Sequence, residues 1–177
     1  MSHPLERLGH DFKNHDIRAL LIGAFAVHAH GVSRQTFDMD FIITDSAFVD
    51  MTRLLSGLGY REVHRQETFA RFQSDDPLWQ DVDVMFVDPD VFEQLYQDSE
   101  PFKIGASELH VPSLEHLIAL KLHAIKHQPA TREAKDLHDI VSLMKKHKWS
   151  ARDQRITELV EKFGPKDIIT KIEILMS

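Results

Sequence analysis

The chain has 177 residues and no cysteine, and its 21 Lys+Arg against 28 Asp+Glu leave a formal net charge of −7. This length suits one domain, or a core domain with a small appendage, and 42% hydrophobic with 28% charged residues is the make-up of a folded chain rather than a disordered one. The lack of cysteine excludes disulfide scaffolds, cysteine-based zinc sites and thiol nucleophiles, and it points to a cytoplasmic location.

The N-terminal stretch Met1-Ser2-His3-Pro4-Leu5-Glu6-Arg7 lacks the basic start and apolar run of an export signal. The longest apolar run, 19–27, is well short of the roughly 20 residues that a spanning helix needs. An amphipathic helix is expected over 4–14 and a strand over 17–22, ending at Gly23. Residues 24–30 favour helix, with Gly31 as its cap. Met39, Phe41 and Ile43 alternate with Asp38, Asp40 and Ile42, the period of a strand. Asp45 or Ser46 is the expected cap of a helix over 47–58 that Gly57 and Gly59 close. Strands are expected over 60–64, 68–73 and 81–87; Asp88-Pro89 then opens a helix over 90–97. Residues 102–111 read as a hairpin turning at Gly105. From the Ser113-Leu114-Glu115-His116 cap to Met176 nearly everything is helical, with breaks near Gln128-Pro129, Trp149-Ser150 and Gly164-Pro165. The expected fold class is therefore α+β. A small mixed sheet flanked by helices occupies 1–112, and a helical bundle follows over 113–177.

The chemistry concentrates in two acidic strands. Asp38 and Asp40 sit two apart, so both carboxylates leave the same face, with Cα atoms roughly 6–7 Å apart. Paired carboxylates at that separation can share magnesium ions whose remaining ligands are phosphates and water. In 81–87, Asp81 and Asp83 point one way while Val82, Val84 and Phe86 point the other. If that strand lies beside the first, three carboxylates converge, as two-metal phosphoryl or nucleotidyl transfer requires. Asp83 lies deeper in its strand than Asp81 and is the preferred third acid. Gly23, at a strand-to-helix turn, would let the backbone approach a phosphate at a helix N-terminus. Alone, an Asp-x-Asp pair is a common solvated strand edge; the glycine turn, the spacing and the second acidic strand favour a metal site instead. The 12 histidines suggest zinc less strongly, since His28 and His30 diverge on a helix and His123/His127 lack the glutamate of a zinc-protease motif. Trp79 and Trp149 read as packing anchors. The acidic balance disfavours a broad grip on nucleic acid but leaves room for a basic patch that holds one RNA end.

Gly23-Ala24, thirteen intervening residues, Asp38-x-Asp40 and a later strand aspartate resemble the DNA polymerase beta-like nucleotidyltransferase superfamily. His30-Gly31, Arg34, Thr36 and the segment Leu120-Lys121-Leu122…Lys135-Asp136-Leu137…Asp139-Ile140 look like the AbiEii-type nucleotidyltransferase toxins and their bacterial relatives, over roughly residues 17–147. The resemblance implies NMP transfer from an NTP such as ATP to an acceptor hydroxyl, with pyrophosphate leaving. Asp38 and Asp40 would hold two Mg²⁺ ions, and Asp83 would bind the second ion and help activate the acceptor. Gly23, Ala24 and Arg34 would seat the triphosphate, Lys121 and Asp136 would belong to the active site, and the helical region would close one side of the cleft. The implied acceptor is an RNA or tRNA end, a protein hydroxyl or a small molecule such as an antibiotic, and the implied partner is a cognate antitoxin. Ala24 departs from the usual Gly or Ser, which motivates a second reading as a catalytically degenerate module that binds a nucleotide or a partner.

One part of this is visible without the resemblance. Leu114, Leu117, Ile118, Lys121 and Ile125 share a helix face, so the Lys121 ammonium lies in an apolar stripe and needs an anion or a route to solvent. A triphosphate would supply that anion. Asp136 flanks the next stripe of Leu137, Ile140, Val141 and Met144, whereas Asp139 falls on the polar side and is expected to stand apart. Arg132 with Asp136 and Lys135 with Asp139 are alternatively i, i+4 surface ion pairs.

Overall fold

A computed structural model describes residues 3–177; Met1 and Ser2, the start of the stretch read for an export signal, lie outside the described residues. The chain divides into two units, one made of the chain up to Ala29 with Arg34–Pro112, the other of His30–Ser33 with Ser113–Ser177. The first unit contains, in order, α1 (Pro4–Asn14), β1 (Leu20–Leu21), α2 (Gly23–Ala29), β2 (Asp38–Thr44), a 3₁₀ turn (Asp45–Ala47) and α3 (Phe48–Gly57). It continues with β3 (Tyr60–Gln66), β4 (Phe69–Ser74), β5 (Asp81–Val87), α4 (Pro89–Gln97), β6 (Glu100–Ile104) and β7 (Ser107–Val111). The strands form one seven-stranded sheet in the order β3-β4-β5-β2-β1-β7-β6.

The centre of this sheet is the parallel pair β2–β5, in unbroken register from Asp38 opposite Asp81 through Asp40 opposite Asp83 to Thr44 opposite Val87. Period-two alternation puts Met39, Phe41 and Ile43 on the same face as Val82, Val84 and Phe86. Helices seal that face. Phe12 of α1 meets Phe41 edge-on at 5.2 Å between ring centroids, and Phe48 of α3 meets Phe86 at 5.1 Å. The acidic residues of both strands therefore leave from the opposite face. This arrangement fixes the register, because a slip of one residue would bring carboxylates into the apolar layer.

Two local expectations are revised. The strand expected over 17–22 is narrowed to Leu20–Leu21, with one further backbone bond from Ile22 to β2, since the Ile17 N–H returns to the Phe12 carbonyl at the end of α1 and Asp16 takes a positive φ of 53°. The segment before Leu20 thus finishes the turn out of a helix. Neither Asp45 nor Ser46 caps α3 with its side chain; both lie in the 3₁₀ turn that leads into it, and the Ser46 hydroxyl pairs with that of Thr44 at 2.9 Å.

The second unit holds α5 (Leu114–His127), α6 (Pro129–Lys146), α7 (Gln154–Phe163) and α8 (Ile168–Met176). Ser113 caps α5 by accepting from the His116 N–H, and Pro129 occupies the first turn of α6, where a missing N–H costs nothing. Leu117, Ile118, Ile140, Leu143, Met144, Ile156, Ile168 and Ile172 form its apolar interior, and buried Trp149 carries Arg155 over its ring at 4.1 Å. The architecture is α+β, as expected. Among the described residues no helix is long and apolar enough to cross a membrane.

Phe41 is fully buried in the strand that carries Asp38 and Asp40. Phe41→Ala should lower unfolding stability by about 3–5 kcal/mol, measured as a drop in the urea midpoint at unchanged slope.

Candidate active site

Asp38, Asp40 and Asp83 each offer a carboxylate oxygen, and these three atoms lie within 4.8 Å of one another. Among the described residues no other group of three or more metal-ligating side chains forms such a cluster. The donor set is all oxygen and all anionic, which suits a hard divalent cation and not a thiophilic one. Asp81 stands opposite Asp38 in the β2–β5 register but outside the cluster, so the deeper of the two β5 acids is the one that joins it.

Each member of the cluster is held by a different device. The Ile22 N–H donates to the Asp40 carbonyl at 2.8 Å, and Gly23, next in the chain, takes φ +62° with its α-carbon pressed against the Asp40 carboxylate. A Cβ at position 23 would collide with that carboxylate, and the left-handed backbone would strain any L side chain. Glycine is therefore required here by the acid itself, apart from any phosphate. Thr36 donates its hydroxyl to Asp38 Oδ1 and lies 3.2 Å from the Asp38 carbonyl. Asp83, only 6% exposed, receives a two-pronged hydrogen bond from Arg71 of β4, Nε to Oδ1 at 2.7 Å and Nη2 to Oδ2 at 2.5 Å. Those hydrogen bonds hold the Arg71 guanidinium above its ordinary value, with further attraction from Asp83, Asp38 and Asp81.

The loop that leads into β5 is tied down beside them. Tyr60 donates to the Gln80 carbonyl at 2.9 Å, and the Gln80 amide reaches the Thr36 carbonyl at 3.4 Å. Burial pushes the Tyr60 phenol up, with Asp81 and Asp76 adding to it. Arg34 is half-buried in the segment that ends at Asp38, and Ala24 is buried in α2.

In the second unit Lys121 of α5 is 5% exposed and donates to Asp136 Oδ1 at 3.0 Å and to Asp139 Oδ2 at 2.7 Å. Asp136 and Asp139 are 4% and 2% exposed. This corrects two expectations. Asp139 is not on a solvated face but makes the shorter of the two bonds, and neither aspartate is in a surface ion pair. The cause is α5 packing against α6, which turns the flank of the α6 stripe inward and supplies the anions that the Lys121 ammonium needs. Gly31 and His30 also belong to this unit, where the His147 imidazole Nε2 lies 2.9 Å from the His30 carbonyl.

A family model described as nucleotidyl transferase AbiEii toxin, type IV TA system, matches residues 5–173. The chain belongs to the AbiEii nucleotidyltransferase toxin family. Solved structures share the fold at low identity. The antibiotic-resistance factor ANT(2″)-Ia is 12% identical, with a TM-score of 0.69 over 90% of this chain and 88% of that one. The lincosamide antibiotic adenylyltransferase LnuA, with lincomycin bound, is 16% identical, with a TM-score of 0.59 over 82% and 99%. An antigenic nucleotidyltransferase-like protein from Paracoccidioides brasiliensis is 18% identical, with a TM-score of 0.58 over 96% and 90%. No curated protein sequence matches the chain. With a family match over nearly its whole length, the chain is a nucleotidyltransferase.

Arg71 is the site residue that sequence reasoning missed. Its signal was present: Ala70 and Phe72 are core residues, so Arg71 leaves the face opposite the core, the face of the acids. What a single sequence does not show is that β4 lies beside β5 with Arg71 opposite Asp83.

Gly23→Ala should destabilise the protein by about 1–2 kcal/mol through the backbone alone and displace Asp40, so transferase activity should fall further than the melting temperature shift explains. Lys121→Met should cost about 3–5 kcal/mol by leaving two buried carboxylates unpaired, and adding Asp136→Asn with Asp139→Asn should recover most of that loss. Chemical denaturation of the single and triple variants checks this.

Proposed function

We propose that this nucleotidyltransferase moves NMP from an NTP to an acceptor hydroxyl, on an RNA end such as that of tRNA or on a protein, with Mg²⁺ held by Asp38, Asp40 and Asp83. The observation that carries the reading is the convergence of those three carboxylates within 4.8 Å. Their hard, anionic oxygens fit magnesium, which keeps phosphate and water in the rest of its shell. Magnesium bound there would supply charge to the attacking and leaving oxygens of an in-line displacement.

The chain's own residues do the rest. Asp38 and Asp40, fixed by the Thr36 hydroxyl and by the Gly23 turn, set the cation positions on one face of β2. Asp83 is aimed by the Arg71 fork, and its carboxylate is the group placed to accept a proton from the acceptor hydroxyl. As that oxygen forms its bond to the α-phosphorus, the bond to pyrophosphate breaks. Gly23, Ala24 and Arg34 are the proposed seat of the triphosphate, where the start of α2 offers N–H groups. The family's toxin–antitoxin setting supports a toxin role with a cognate antitoxin as partner, and the cysteine-free chain suits the reducing cytoplasm.

Incubation with each α-labelled NTP, Mg²⁺ and total cell extract should label one macromolecular fraction and release pyrophosphate. Asp40→Asn should abolish labelling, a loss of at least about 10³-fold, with circular dichroism unchanged. Retained transfer by that variant refutes the assignment. Phosphate release in place of pyrophosphate would make the protein a hydrolase, and label appearing only on small molecules would move the acceptor to that class.

A further inference from the structure

We infer that Arg71 is a positioning residue that aims Asp83 and moderates the grip of the acidic cluster on divalent cations. The inference rests on the three-carboxylate metal site proposed above. Arg71 and Asp83 are cross-strand partners in the antiparallel β4–β5 ladder, which places both side chains on one face with their polar ends adjacent. The guanidinium takes both oxygens of the carboxylate, at 2.7 and 2.5 Å, so the carboxylate plane cannot swing while the fork is in place. Each carboxylate oxygen has two lone-pair directions, and the fork uses one on each. One direction per oxygen remains, and Asp83 presents an oxygen to Asp38 and Asp40 within 4.8 Å. The arginine side chain is 46% exposed while that of Asp83 is 9% exposed, so Arg71 reaches in from the open side of the sheet and does not fill core space.

Two consequences of opposite sign follow. The cluster carries three negative charges, and the guanidinium offsets one of them. That offset eases repulsion among the acids before a cation arrives, but it also weakens attraction for the cation. Removing the guanidinium should therefore tighten cation binding and, with Asp83 free to rotate, slow transfer. A residue with a merely structural role would weaken both or change neither. Charge and geometry separate in the lysine variant, because an ammonium restores the positive charge and cannot restore the fork.

The test measures Mn²⁺ binding to the nucleotide-free protein by electron paramagnetic resonance of the free ion, beside steady-state transfer. Arg71→Gln should bind Mn²⁺ roughly tenfold more tightly at low salt and show a kcat about 10- to 100-fold lower, with KM for the NTP within about threefold. Arg71→Lys should return Mn²⁺ affinity to near the parent value while kcat stays low. Unchanged or weaker Mn²⁺ binding in the glutamine variant, or full kcat in the lysine variant, overturns the inference. Should the glutamine variant fail to fold, the lysine variant alone decides, since parent-like affinity with parent-like kcat contradicts the proposed role. Asp40→Asn serves as the reference. If it binds Mn²⁺ as the parent does, the metal-site reading itself fails; if it loses Mn²⁺ while the Arg71 variants behave as the parent, only the role of Arg71 fails.

Discussion

Three carboxylates with oxygens within 4.8 Å of one another repel by roughly 3 kcal/mol per pair at an effective dielectric constant near 20, and the design of the first unit answers that repulsion. The parallel register of β2 and β5 forces Asp40 and Asp83 side by side, and this register is held from the other face of the sheet. There Met39, Phe41 and Ile43 interlock with Val82, Val84 and Phe86 beneath the aromatic rings of α1 and α3. Apolar burial is thus the force that keeps like charges together. Specific polar contacts then trim the cost: the Thr36 hydroxyl on Asp38 and the Arg71 fork on Asp83, while the missing side chain of Gly23 leaves room for the Asp40 carboxylate. The result is an anionic cluster whose members are already held in place by the surrounding fold.

The second unit solves a related problem differently. Lys121, Asp136 and Asp139 are all nearly excluded from solvent, and a single ammonium serves two carboxylates. Desolvating such groups is costly, and an apolar substitution of equal volume is often as stable. The trio therefore acts less as a source of stability than as a lock on the α5–α6 pairing, since only one rotation of each helix satisfies all three groups.

Much of this was legible in the residues. The alternation in 38–43 and 81–87 placed the acids on the face away from the core, and Asp83 could be preferred over Asp81 from its depth in the strand. Helix 4–14 and strand 81–87 emerged with their observed limits because a proline start or an unbroken apolar period marks them. Less legible were features set by partners remote in the chain. β1 shrank to two residues because Ile17 is claimed by α1. Asp139 was misplaced because helical periodicity reports one apolar face and is silent about a second helix that buries the flank. Arg71 escaped notice because strand adjacency, which sets what stands opposite Asp83, is not encoded in local spacing.

The four residues His30–Ser33 group with the helical unit although they lie 80 to 83 positions before its start at Ser113. His30 is 7% exposed there, and its carbonyl meets His147 at 2.9 Å. The helical unit is thus completed by a short loan from the N-terminal half. Cutting the gene at Pro112 would yield a C-terminal fragment with an exposed scar where His30 belongs, and exchange of that half between relatives would have to carry the 30–33 segment along.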